Sequence, residues 1–286
     1  MENILALHAD LKGRTYTHGS YHHFRISDPK PRDIHKASVR DRLLHHALYR
    51  KLYPFFDKSF IAHSYSCRLG KGTHSAIRVF RGFVAKTSLN DTKTIWVLKC
   101  DVKKFFASVD HNVLFKILEK RIPDKDVLRL IKTVVGSFHN VAPGKGLPLG
   151  NLTSQLLVNI YMNELDQFVK HRLKARQFIR YADDFVIFSR DRKWLESILS
   201  DIRKFMKDKL QLSLHPNKIS ISTIASGVDF LGWVHFSDHR VLRTTTKRRM
   251  FQQLQERKGS QEEKATFKSY RGLLGHGNAR KLENML

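Results

Sequence analysis

Three aspartates are spaced for metal-assisted chemistry. Asp101 closes the apolar run Ile95-Trp96-Val97-Leu98-Lys99-Cys100, and Asp183 and Asp184 stand together between Tyr181-Ala182 and Phe185-Val186-Ile187-Phe188. Two charges set between β-prone apolar runs are costly to bury unless something positive meets them. A tight hairpin would expose the pair at its tip. If the strand ending at Asp101 lies beside that hairpin, three carboxylates converge on one spot. Such clusters repel one another and call for divalent cations. Two Mg²⁺ ions about 3.5–4 Å apart would activate a 3′-hydroxyl and stabilise a leaving pyrophosphate, which is nucleotidyl transfer. Each signal alone is weak, because Asp-Asp is common in polar turns and strands often end in Asp. Phe106 follows Asp101 by five residues, where an aromatic ring could lie under a nucleotide sugar and exclude a 2′-hydroxyl; a core aromatic is the plainer reading. The stretch GKGLPLGNLTSQ (144–155) is a Gly/Pro-rich loop whose N–H groups could approach phosphate or base, or simply a helix entry capped by Asn151 or Thr153.

The elements that would hold these residues follow from periodicity. Residues 35–52 read as a basic helix, 95–100 as a buried strand, and 112–121 and 124–138 as helices, the second with Val127, Leu128, Ile131, Val134 and Val135 on one face. Residues 152–174 carry the strongest helical repeat, through Leu156, Ile160, Leu165, Phe168 and Val169. Residues 178–189 read as strand, turn, strand, and 193–210 as an amphipathic helix. Short strands over 211–234 are broken by His215-Pro216-Asn217 and Ala225-Ser226-Gly227. The tail is helical, with Ser260 and Glu263 spaced as a capping box.

Charge indicates the partner. Lys and Arg total 52 against 26 Asp and Glu, a net +26 over 286 residues. The net is +11 over residues 1–99, +7 over 100–239 and +8 over 240–286, so the centre is closest to neutral and is flanked by more basic segments. That distribution suits a groove gripping a polyanion, nucleic acid first. Cys67 and Cys100 are too few for a disulfide scaffold or a Cys-rich zinc module, and a reducing compartment is the simple reading. The adjacent pairs His22-His23 and His45-His46 lack metal-ligand spacing. No apolar run reaches membrane-spanning length, and the first residues lack a signal-peptide pattern, so a soluble, intracellular protein is expected.

Taken together, the motifs resemble those of reverse transcriptases, in family order from about residue 32 to residue 286. RDIHKASVRDRLLHHAL and SYSCRLGKGTHSAIRVF are similar to the two fingers motifs, VLKCDVKKFFASVDH to the palm strand with the first catalytic Asp, and GLPLGNLTSQLLVNIY to the palm loop and helix. IRYADDFVIF is similar to the Y-x-D-D box, LSLHPNKISI to the segment bearing a palm lysine, and VDFLGW to the primer grip. The resemblance implies an α+β right-hand polymerase fold with an antiparallel palm sheet. Fingers would take residues 1–92 and 113–148, palm 93–112 and 149–238, and a small basic helical thumb 239–286. It also implies roles. Asp101, Asp183, Asp184 and the Val102 carbonyl would hold two Mg²⁺ ions, and Lys218 would protonate or orient pyrophosphate. Phe106 would gate the sugar, and Arg68, Lys71 and Arg78 would clamp the triphosphate. Phe230, Leu231, Gly232 and Trp233 would turn at Gly232 and seat the primer end. Lys247, Arg248, Arg249, Arg257 and Lys258 would lie along an RNA–DNA hybrid read by shape and backbone. Thr244 to Thr246 offer hydroxyls for a helix cap or a phosphate.

Within the family, Leu149-Gly150 followed by Ser154-Gln155 is similar to the pattern of diversity-generating retroelement enzymes, where group II intron enzymes carry Gln-Gly and Ser-Pro. Leu149, Gly150 and Gln155 would then border the incoming nucleotide. An aliphatic residue at 149 offers no side-chain hydrogen bond, so a mismatch there leaves no extra polar group unpaired. The resemblance implies mutagenic cDNA synthesis opposite template adenine, a structured template RNA, dNTP substrates and a small oligomeric accessory protein. It also implies a cytoplasmic setting in a bacterial, archaeal or phage-encoded system. The alternatives are a retron-like, group II-like or defence-associated enzyme of ordinary fidelity, or a catalytically silent RNA-binding scaffold.

Overall fold

The computed structural model describes residues 2–27, 31–140 and 142–284. The first third comprises α1 (Glu2–Lys12), β1 (His22–Ile26), β2 (Arg32–Lys36), α2 (Val39–Asp57), β3 (Ser64–Tyr65) and α3 (Thr73–Ser88). β4 (Trp96–Asp101) follows, then α4 (Phe105–Ser108), α5 (His111–Glu119), α6 (Lys125–Gly136) and α7 (Leu152–Gln167), which runs on as a π-helical turn over Phe168–Arg172. Next come β5 (Phe178–Tyr181), β6 (Asp184–Ser189), α8 (Arg192–Leu210), β7 (Ser220–Thr223), β8 (Val228–Phe230), β9 (Trp233–His235) and β10 (Arg240–Leu242). The chain closes with α9 (Thr244–Glu256), α10 (Glu263–Leu274) and α11 (Arg280–Glu283).

A five-stranded sheet in the order β3-β5-β6-β4-β7 organises the molecule. Its central strands are apolar on both sides because both faces are covered. Leu98, Cys100, Phe185 and Ile187 join the larger core with α2, α5, α6, α7 and α8, while Val97, Val186 and Phe188 face a second core with α3. A third, smaller core packs Trp233, Leu242, Met250, Tyr270 and Leu274 against Ile77 of α3. The helices start where side chains satisfy free N–H groups. Asp110 accepts from Val113 N, Asp124 from Asp126 N and Val127 N, and Asp191 from Trp194 N.

Three local expectations are corrected. The basic helix begins at Val39 and extends to Asp57, because residues 32–36 form β2 and pair antiparallel with β1. Ser260 and Glu263 do not form the expected box: Glu262 occupies the cap position, the Ser260 hydroxyl bonds to Arg257 O and accepts from Glu262 N, and Glu263 reaches back to Gly259 N. The cap position of α9 is Arg243, so Thr244 to Thr246 lie inside the helix.

Candidate active site

β4 and β6 run antiparallel with Asp101 directly opposite Asp184. Tyr181 pairs with Asp184, so Ala182 and Asp183 form the tip of the β5–β6 hairpin, with Ala182 in the left-handed region at φ 53°. Val102 N donates to Asp183 O at 3.2 Å, which ties the tip to the end of β4. The other flank is fixed by His215 N on Asp101 O at 2.7 Å and Lys103 N on Ser213 O at 2.9 Å. All three aspartates are therefore carried at one end of the central strands β4 and β6.

Their side chains are divided between two lysines. Lys218 Nζ lies 2.9 Å from both carboxylate oxygens of Asp101. Lys99 Nζ stands 3.8 Å from Asp184 Oδ2 and also donates to Asp229 O. Asp184 Oδ1 is buried with no hydrogen-bond partner. The Asp184 side chain keeps 20% of its surface open, yet dense surroundings push its pKa up to about 7. Burial is the main cause; Lys99 opposes it, and Asp101 and Asp183 add to it. Asp183 is shifted upward by burial first and by Asp101 second, with Lys218 and Arg32 opposing. Among the described residues, no three His, Cys, Asp or Glu side chains stand together as a formed metal-binding set. The expected convergence thus holds for the backbone positions, while Lys218 engages the Asp101 carboxylate and Lys99 stands beside that of Asp184. The donor chemistry still fits hard divalent cations: three carboxylates lie on adjoining backbone positions, one buried carboxylate oxygen has no hydrogen-bond partner, and the charges of Asp101 and Asp183 raise the cost of a third, which a cation would relieve.

The rest of the expected site is distributed around these strand ends. Phe106 is half-buried in α4, edge-on to Phe105, and its carbonyl accepts from Leu147 N at 2.8 Å. That bond brings the Leu149-Gly150 loop beside it. Leu149 O accepts from His35 N at 2.9 Å, and Gly150, at φ +103°, lies so close to β2 that a Cβ would stand 2.8 Å from Ile34 Cγ2. Asn151 occupies the cap position of α7 but does not cap it; its side chain accepts from Ala37 N and donates to His35 O. Gln155 is half-buried one turn into the helix.

The triphosphate clamp is revised. Arg68 is built into the scaffold: Nε donates to Asp57, Nη1 to the carbonyls of Ile61 and Ser64, and only 6% of the side chain is exposed. A buried guanidinium needs such partners, and here Asp57 and the carbonyls of Ile61 and Ser64 supply them. Lys71 donates to Ala62 O, and Arg78 is exposed on α3. Leu231 (φ 52°) and Gly232 (φ 87°) form the two-residue turn joining β8 to β9, as expected at Gly232. Phe230 and Trp233 are both buried, with Trp233 in the third core under Arg240. Lys247, Arg248 and Lys258 are exposed, whereas Arg257 is engaged by Glu262 and Thr266. Arg249 and Arg257 line a groove of about 680 Å³ with His74 of α3 and His276.

Sequence reasoning passed over Lys99, Arg32 and Arg180, and took Asn151 only as a helix cap. Arg180 had a readable signal, a lone arginine in the apolar run FIRY, where burial demands a partner.

His235, behind the β8–β9 turn, supplies a pH prediction. Burial lowers its pKa to about 4; Arg240 and Lys99 act the same way, while its bond to Phe230 O and nearby Asp229 oppose. The unfolded value is about 6.5. The folded state therefore binds fewer protons between those values, and this contribution is lost as pH falls. Asp184 has the opposite sign, so the comparison is made between proteins. The stability gap between wild type and His235→Gln should shrink by about 2 kcal/mol from pH 7 to pH 5, read from urea midpoints.

Solved telomerase structures share this architecture. One from Candida albicans, in complex with a TWJ fragment of telomeric RNA, superposes with a TM-score of 0.59 at 13% identity, covering 82% of this chain and 46% of that one. Apo telomerase from Candida tropicalis truncated from its C-terminal domain gives 0.57 at 12% identity, over 84% and 60%. The fold is that of a right-hand polymerase. In sequence, residues 27–235 match the family Reverse transcriptase (RNA-dependent DNA polymerase), and the chain belongs to that family. Protein YkfC of Escherichia coli is 29% identical over 260 residues, 77% of this chain and 66% of that protein. The group II intron-encoded protein LtrA of Lactococcus lactis is 23% identical, covering 87% of this chain and 51% of its own length. Retron Ec73 reverse transcriptase of Escherichia coli is 30% identical over 131 residues, 41% of this chain and 40% of that protein. The chain thus spans about two thirds of the first of these relatives and half of the second. No helix among the described residues is long and apolar enough to cross a membrane.

Proposed function

We propose that this chain copies RNA into DNA by two-metal nucleotidyl transfer. The observation that carries the reading is the register of Asp101 against Asp184, with Asp183 in the adjoining turn, in a chain of this family. Asp101, Asp183, Asp184 and the Val102 carbonyl would hold two Mg²⁺ ions, which supply Lewis-acid activation of the primer hydroxyl and of the leaving group. Lys218, which pairs with Asp101 here, would be released if metal ions took that carboxylate and would then be placed to meet pyrophosphate. Phe106 bounds the sugar pocket on one side and the Leu149-Gly150 loop bounds it on another. Lys71 and Arg78 are the remaining candidates for the triphosphate. The β8–β9 turn seats the primer end, and Lys247, Arg248 and Lys258 meet the hybrid backbone, as the charge of +26 favours. Fingers, palm and thumb take the boundaries drawn from the sequence.

We further propose the diversity-generating type, with a template RNA and a small accessory protein as partners. Leu149 supports it: its carbonyl is fixed by His35, and its aliphatic side chain brings no hydrogen bond to the nucleotide pocket. The test is the cDNA error spectrum on an RNA with isolated adenines, with and without any small protein encoded beside the gene. Wild type should misincorporate opposite adenine at least about tenfold more often than opposite other bases, and Leu149→Gln should narrow that gap. That result corresponds to about 1.4 kcal/mol of restored discrimination. Equal error at all template bases in the wild type points instead to an enzyme of ordinary fidelity.

A further inference from the structure

A buried polar node lies directly behind the aspartates. The Arg180 side chain has no exposure, and all five of its N–H donors are used. Nε and Nη2 grip Asp166 of α7 at 2.7 and 2.6 Å, and Nη2 also donates to Ser64 Oγ of β3 at 2.8 Å. Nη1 donates to Asn159 Oδ1 of α7 at 3.1 Å and to the carbonyl of Ala182 at 3.0 Å. That last acceptor belongs to the residue with positive φ at the hairpin tip, immediately before Asp183. The Ala182 N–H in turn donates to Tyr65 O at 3.2 Å. Asn159 extends the node by donating to Ser66 O at 3.1 Å. Ser66 and Cys67 are also in the left-handed region, at φ 80° and 55°, and open the loop that carries Lys71.

A buried guanidinium is a costly way to stabilise a core, and apolar residues of similar volume often do as well. What it offers here is direction. Its planar fork holds the peptide before Asp183 directly and, through Asn159, the loop before Lys71, a task a single ammonium cannot perform. We infer that Arg180, oriented by Asp166 and Asn159, is a positioning residue that fixes the Asp183–Asp184 turn and couples it to the loop after β3. The inference rests on the polymerase reading for its catalytic consequence, while its structural content stands independently of it.

The test pairs hydrogen exchange with steady-state kinetics on the full chain, comparing wild type, Arg180→Lys and the double variant Arg180→Leu/Asp166→Leu. The double variant leaves no lone buried charge and guards against a misfolded single variant. In both variants, exchange should accelerate at least about tenfold in segments 181–185 and 66–71 while the central strand 96–100 keeps its protection. Their kcat should fall about tenfold or more with KM for dNTP held within about threefold, because the lost positioning acts on chemistry instead of binding. Unchanged exchange at 181–185, acceleration spread equally over 96–100, or kcat kept at the wild-type value would overturn the inference. A wild type that incorporates no nucleotide would defeat the polymerase reading instead, and the exchange data would still decide whether Arg180 orders the turn.

Discussion

Asp184→Asn should abolish nucleotide incorporation and at the same time make the metal-free protein more stable. Asparagine keeps the shape and removes the charge that a cation would balance. Loss of about 10³-fold in kcat/KM is expected, about 4 kcal/mol of transition-state stabilisation. The stability change follows from linkage. The folded pKa of Asp184 is raised to about 7 by burial, with Asp101 and Asp183 adding to it. The carboxyl is therefore tolerated at low pH, and the cost of its charge accumulates as pH rises from its unfolded value, about 4, to its folded value of about 7. It is fully present at pH 8. Removing the charge should raise the unfolding free energy at pH 8 in EDTA by on the order of 2 kcal/mol, and the gain should fade toward pH 4. Asp183, raised for the same reason, should behave alike. A variant that loses both activity and stability would show that Asp184 is a structural anchor and not a stored repulsion.

Phe80→Ala should be the most damaging core substitution on the α3 side of the sheet. The Phe80 ring has no exposure. It meets Phe188 of β6 edge-on at 4.9 Å, stacks on Phe230 of β8 at 5.4 Å and lies 4.3 Å from His235 of β9. Three elements therefore share one side chain, and none can collapse into the cavity without moving the others. A cost of about 3–5 kcal/mol is expected in urea unfolding. The β8–β9 turn should lose its seat first, so water should reach His235 and its pKa should climb toward the ordinary value. A cost below about 1.5 kcal/mol would mean that the second core repacks freely.

The parts of this architecture that could be read from sequence are those written in strong local code. An apolar strand ending in Asp101, a charge pair between two β runs and Leu231-Gly232 between short strands each have one economical solution, and the fold adopts it. The β1–β2 hairpin escaped because HHFRI and RDIHK are mostly exposed, with no alternation to mark them. The role of β2 is long-range, pairing through His35 with the Leu149 loop across more than a hundred residues. Arg68 was legible as a basic residue near a glycine-rich loop, but its orientation was not, because burial against Asp57 depends on where α2 ends. Asn151 sits at a helix start, where a cap is the local expectation; tertiary contact with Ala37 and His35 claims its amide instead. The aspartate positions were legible, while the division of their charges between Lys218 and Lys99 required the sheet register.

The most direct measurement of the central claim is primer extension on an RNA template with purified protein and Mg²⁺, supplying dNTPs or NTPs in parallel, with Asp183→Asn as the paired control. The account predicts template-directed DNA product from dNTPs, little product from NTPs because Phe106 bounds the sugar pocket, and none from Asp183→Asn. Product from NTPs at the same rate would contradict the assignment of Phe106. Absence of any dNTP product, with or without a small protein encoded beside the gene, would contradict the polymerase reading and leave a nucleic-acid-binding protein on a polymerase fold.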